Sequence, residues 1–138
     1  MSAKGPFDVK VTPQASDGMP DGFARMLLDK QFHGGLEGTS KGEMLSFGTG
    51  AKGTSGGYVA LEQVTGTLNG RQGSFVLQHS ATMTGGVPQM SITVVPDSGT
   101  GQLVGLTGSM KIIIRWQALV RFRVQPARGP ITRMLLIL

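Results

Sequence analysis

The chain has 138 residues and no cysteine, which allows one domain with a hydrophobic core and excludes a disulfide framework or a thiolate metal site. The net charge of +5 reflects 13 Lys and Arg against 8 Asp and Glu, and the whole excess lies after residue 114. Aromatic residues are only 6% of the chain, which together with the confined basic charge argues against nucleic-acid binding. The basic excess consists of Arg115, Arg121, Arg123, Arg128 and Arg133.

The first residues, MSAKGPFDVKVTPQ, lack the continuous apolar segment of a secretory signal. No apolar run in the chain is long enough to cross a bilayer. The lack of cysteine also fits a reducing compartment. We therefore expect a cytoplasmic protein without a membrane partner.

Polar and apolar residues alternate between glycine-marked turns along most of the chain, which predicts short β-strands. Gly34-Gly35 and Asn69-Gly70 are each expected to form a two-residue hairpin turn. No helical period persists for three turns. Strands are expected over residues 6–12, 23–33, 36–48, 58–68, 74–83 and 89–96, with one or two more within 102–114.

Seven or eight short strands joined in sequence order favour an all-β fold, namely an antiparallel up-and-down β-barrel of about eight strands. A β-sandwich is the alternative. We expect one domain over 1–138, with the barrel core at about 5–124 and an atypical segment at 125–138.

An even-length turn at Asn69-Gly70 would place two sets of alternate residues on one face of the hairpin, and this face is the more apolar of the two. It would lie inside the barrel and bring Glu62 close to His79. A carboxylate beside an imidazole in an apolar cavity can transfer protons or bind a polar group of a ligand; the alternatives are a structural hydrogen bond or one side chain in solvent. Tyr58 and Phe75 are predicted to line the cavity.

Other polar residues carry weaker predictions. Lys30 alternates with apolar residues of its strand, but a solvated side chain is the expectation. His33 and Glu37 have a metal-pair spacing, yet they flank a turn, and two histidines without cysteine make a poor ligand set. We predict no metal and no cofactor.

Three segments of the chain resemble the DUF3224 group of small uncharacterised bacterial proteins. They are DKQFHGGLEGTSKGEML, GYVALEQVTGTLNGRQGSFVLQHS and VVPDSGTGQLVGLTGSM. The resemblance covers about residues 5–114. It implies a barrel similar to that of allene oxide cyclase, within the calycin-like class, and a central cavity. It does not imply cyclase activity, because a shared fold does not transfer function.

The chain departs from the DUF3224 pattern after residue 114. Family members look as though they end in a short acidic-aromatic strand, whereas this chain continues as RWQALVRFRVQPARGPITRMLLIL. Reading the same codons one nucleotide later permits DGKHSYDFEYSLP, so we hypothesise a frameshift, with a genuine divergent tail as the alternative. Val120, Phe122 and Val124 still alternate with arginines and could close the barrel, while ITRMLLIL would leave an apolar stub that favours self-association.

Three functions are compatible with these patterns. The first hypothesis is a barrel that binds a small, largely apolar molecule in its interior. The second is a small cyclase or isomerase that uses Glu62 and His79, and the third is a non-catalytic assembly module that forms a homo-oligomer. Whether the protein is an enzyme stays open at this point.

Overall fold

A computed structural model of the chain describes residues 2–49, 55–115 and 131–137. Eight antiparallel strands follow one another in a meander and close into a barrel, because the last strand pairs with the first. The all-β up-and-down barrel predicted from the alternation is therefore confirmed. The strands are β1 (Ser2–Gln14), β2 (Phe23–Phe32), β3 (Leu36–Gly48), β4 (Gly56–Leu68), β5 (Arg71–Thr84), β6 (Val87–Val94), β7 (Ser109–Arg115) and β8 (Ile131–Ile137).

The β4–β5 hairpin has the turn that its sequence predicts. Asn69 and Gly70 adopt positive φ angles of 47° and 82°, and Leu68 pairs directly with Arg71. Two central residues with positive φ give the turn whose twist matches that of the flanking strands. The even loop length fixes the register and therefore decides which residues of β4 and β5 face the interior.

The Gly34-Gly35 prediction was wrong in detail. Gly34 has a positive φ of 102°, but three residues separate β2 from β3, and Phe32 pairs with Gly38. The amides of His33 and Gly35 donate to the carbonyls of Pro6 and Lys4. The connection is wider than a two-residue turn because its backbone is bonded to β1.

One end of the barrel is filled by a packed apolar core. Of the one or two strands expected within 102–114, the structure contains β7, and the start of this segment is a short 3₁₀ turn at Gly101–Leu103 that places Leu103 in this core. Leu106 and Ile112 pack against it. The core consists of Ala3, Phe7, Phe32, Leu36, Val64, Leu68, Phe75, Leu77, Ile92, Val94, Leu103 and Met110.

The barrel closes at the chain termini. β8 pairs with β7 along seven residues and with β1 from Ser2 to Pro6, so ITRMLLI, the segment treated above as an apolar stub, supplies the closing strand. The predicted strand around Val120–Val124 lies outside the described residues.

β6 and β7 share a short contact, in which Thr93 pairs with Ser109 and the Val94 amide donates to the Gly108 carbonyl. Within the described ranges, no helix has the length and apolar character needed to cross a membrane.

Candidate functional site

Four polar side chains are buried together on the inner face of β2–β5, and we call them the Glu62 cluster: Lys30, Ser40, Glu62 and His79. None of them exposes more than 7% of its surface. Oε1 of Glu62 accepts a hydrogen bond of 2.9 Å from Lys30 Nζ and lies 2.7 Å from His79 Nε2. Oε2 accepts a bond of 2.7 Å from the Ser40 hydroxyl. Both carboxylate oxygens are therefore hydrogen-bonded by side chains from three other strands.

Strand register explains how residues distant in sequence meet. Lys30 pairs with Ser40 across β2 and β3, and Glu62 pairs with Gly42 across β3 and β4. A Cβ placed on Gly42 would lie 2.2 Å from the Leu61 carbonyl oxygen and 2.6 Å from the Cβ of Glu62. No side chain fits at that distance, so Gly42 is what allows β3 to approach the backbone that carries the carboxylate.

Glu62 is an ionised carboxylate. Burial alone would raise its pKa, but the hydrogen bond from His79, the charge and hydrogen bond of Lys30 and the hydrogen bond from Ser40 together lower the pKa from 4.5 to about 2. An ionised carboxylate only accepts hydrogen bonds, so Nε2 of a neutral His79 carries the proton and Nδ1 keeps a lone pair. The cluster thus holds a fixed anion, its counter-cation and an imidazole of set tautomer.

The Lys30 ammonium has a second electrostatic partner. Its Nζ lies 5.4 Å from the centroid of the Phe7 ring, a cation–π distance, and Phe7 packs against Phe32 with ring centroids 5.5 Å apart. The charges of Lys30 and Glu62 cancel, so the cluster is polar without net charge when His79 is neutral.

The structure brings three of the four sequence-predicted site residues close to one another. Glu62 and His79 are hydrogen-bonded, and Tyr58 lies four residues before Glu62 on the same face of β4. Burial, and secondarily the negative charge of Glu62, raise the pKa of the Tyr58 phenol. Phe75 is elsewhere: it is 1% exposed and belongs to the packed core, so it lies below the cluster and does not line an accessible cavity.

On the side of the Glu62 cluster away from the packed core, the inward side chains are still apolar, but they are exposed to solvent. Register places these side chains inward, since Val9 pairs with Lys30, and Met90 pairs with Ala81 two residues beyond His79. We call this end the open half of the barrel. Its inward side chains include Val9 and Val11 (each 46% exposed), Met83 (40%) and Met90 (47%), together with the half-buried Met26, Met44 and Tyr58.

Comparison with known proteins places the chain in a family. The family described as "Protein of unknown function (DUF3224)" matches residues 3–123. The chain belongs to the DUF3224 family. The crystal structure of a DUF3224 protein of unknown function from Shewanella oneidensis MR-1 is 45% identical and covers 99% of this chain and 94% of that chain, with a TM-score of 0.83. No curated protein matches the chain.

In this DUF3224 protein, sequence reasoning missed half of the Glu62 cluster. Lys30 was expected in solvent, whereas its side chain is 6% exposed and bonded to Glu62. The available signal was its position between the apolar Leu28 and Phe32, which share its face. Ser40 gave no such signal, because a serine in a strand is common on either face.

His33 and Glu37 lie together on the surface. Nδ1 of His33 is 3.7 Å from Glu37 Oε2, and its Nε2 is 3.8 Å from Asp8 Oδ2. Glu37 also accepts a hydrogen bond from the Gly34 amide. Among the described residues, no group of three or more His, Cys, Asp or Glu is arranged to hold a metal ion.

Proposed function

We propose that this DUF3224 protein binds a small, largely apolar molecule in the open half of its barrel, with the Glu62 cluster as a polar floor. One observation carries the proposal: the inward face remains apolar towards that end, while its side chains become accessible. Val9, Val11 and Met90 are nearly half exposed although register turns them inward. Binding sites of this kind are concave and apolar with a few placed polar groups.

The charges of the Glu62 cluster limit which polar group of a ligand can bind there. The Lys30 ammonium has three donors, of which the described contacts use one for Glu62. His79 Nδ1 is an acceptor when Nε2 donates to Glu62. Because Glu62 already neutralises Lys30, the floor suits an uncharged polar group, such as a hydroxyl or carbonyl, better than a carboxylate.

Filling the open half with a larger side chain tests whether the ligand binds there. Ala81 points into the open half, and its neighbour Thr82 points outward. We expect the neutral fluorophore N-phenyl-1-naphthylamine to bind the wild type with enhanced emission, Ala81→Phe to abolish binding, and Thr82→Phe to leave it unchanged. Equal binding by the wild type and Ala81→Phe would contradict the proposal.

Native mass spectrometry tests the ligand itself. Protein purified from its own host should carry a bound species of small mass, and Ala81→Phe purified in the same way should not. A species that both variants retain would place the site elsewhere on the chain.

The contact between Glu62 and His79 favours a second candidate function, a cyclase or isomerase. A pKa of about 2 makes Glu62 a weak base, so proton transfer would fall to His79, with Glu62 as a positioning residue. If a ligand is recovered, incubation in D₂O should place deuterium in it with the wild type and not with His79→Asn. Equal incorporation by both proteins would exclude His79 from this role.

A further inference from the structure

A contiguous apolar surface lies on the outside of the barrel, on the opposite face of the same strands. We call it the outer apolar patch. Its strand residues alternate with the inward ones, so burial of the barrel core does not cover them, and Met19 of the β1–β2 connection lies beside them. It consists of Met19, Leu27, Leu45, Phe47, Val59 and Leu61, each 36–54% exposed.

Register shows that the patch is continuous. Leu45 pairs with Val59, and Leu27 and Leu61, which pair with Glu43 from its two sides, are both diagonal neighbours of Leu45. Phe47 packs on Phe23 with ring centroids 5.1 Å apart. Part of the patch forms a depression of about 640 Å³ between Met19 and the side chains of β2–β5.

The surroundings of the patch are polar. Lys41 and Gln63 flank it on one side, and Gln78 and Ser80 of β5 flank it on another; all four are exposed. An apolar centre with a polar rim is the anatomy of a protein interface. Six side chains of this size expose on the order of 500 Å² of apolar surface. This area is near the upper end of the range for the largest exposed apolar patch of a monomeric protein.

We infer that the outer apolar patch binds the same patch of a second copy of this chain, so that two barrels pack face to face in a two-fold dimer. The charges support a second copy as the occupant. Arg25 and Glu43 form an ion pair inside the patch, each about half exposed. A surface that contains one charge of each sign has no net repulsion against itself, and a two-fold axis can set Arg25 of each copy against Glu43 of the other.

The area of the patch is large enough for a dimer interface. A standard interface buries about 800 Å² on each partner, and the patch with its rim can supply that amount. Two sheets that pack face to face lie about 10 Å apart, a distance that leucine and valine side chains of both copies fill. The open half and the Glu62 cluster lie on the inner face, so this inference does not depend on ligand binding.

Sedimentation analysis of the full chain tests the dimer. From about 1 µM to about 1 mM, a range that spans weak and strong association, the wild type should approach twice the 14.5 kDa chain mass. Leu61→Glu should be monomeric over the same range. Val104→Glu is the matched control, because Val104 is 75% exposed and lies outside the patch, and it should dimerise as the wild type does.

Charge exchange tests the two-fold arrangement even if Leu61→Glu fails to fold. Arg25→Glu alone and Glu43→Arg alone each set like charges against one another across the axis and should weaken the dimer at least tenfold. The double variant restores opposite charges and should recover it. A monomeric wild type at every concentration would overturn the inference and leave the patch to a different protein. A Leu61→Glu dimer of unchanged affinity would overturn it as well.

Discussion

Glu62→Gln is the substitution that most directly tests the electrostatics of the barrel interior. The carboxylate neutralises a lysine whose side chain is 6% exposed, and glutamine would leave that ammonium buried without its counter-charge. Removal of one partner of a buried ion pair costs about 3–5 kcal/mol. The lowered pKa of Glu62, from 4.5 to about 2, corresponds to about 3–4 kcal/mol, since one pKa unit is equivalent to about 1.4 kcal/mol.

The lowered pKa of Glu62 also determines how its contribution to the free energy of unfolding depends on pH. Because the folded-state pKa of Glu62 is lower than its unfolded value, the stabilisation is complete above pH 4.5 and is lost as the pH falls from 4.5 to about 2. Glutamine does not titrate. The difference in unfolding free energy between wild type and Glu62→Gln should therefore be largest near neutral pH and shrink through this window.

Urea unfolding at a series of pH values measures this difference. Asp8→Asn is the control, because the Asp8 carboxylate is 86% exposed, lies outside the outer apolar patch and approaches only His33 on the surface, at 3.8 Å, where ion pairs contribute about 0–1 kcal/mol. If Glu62→Gln is as stable as the wild type at neutral pH, or if the difference does not change on acidification, Glu62 does not stabilise the fold as the counter-charge of Lys30.

Three further predictions concern local features. Gly42→Ala should destabilise the fold by several kcal/mol in urea unfolding, because its Cβ would meet backbone at 2.2 Å, whereas Gly48→Ala, with open space around it, should change little; equal effects would contradict the close approach. Tyr58 is the only tyrosine, so phenolate absorbance should show a midpoint above 10 that falls in Glu62→Gln, since burial and the Glu62 charge both raise its pKa. Resequencing the gene should show a frame interruption near codon 115; an intact frame in independent isolates would exclude the frameshift.

The sequence by itself determined the meander and one of its turns. At Asn69-Gly70 the two residues that most readily adopt positive φ occur together between alternating strands, and this chemistry is local. From the turn follows the register, and from the register follows the meeting of Glu62 and His79. Each of these inferences needs only neighbours along the chain.

Only the tertiary structure decided the composition of the site and the closure of the barrel. Lys30 is buried because Glu62, 32 residues away, supplies its counter-charge, and no pattern within β2 contains that information. β8 is the closing strand because Ile131–Ile137 pairs with both β7 and β1, a choice between distant segments. Alternation shows that a strand has two faces; only the packing of the whole barrel decides that one half of the inner face is filled and the other accessible.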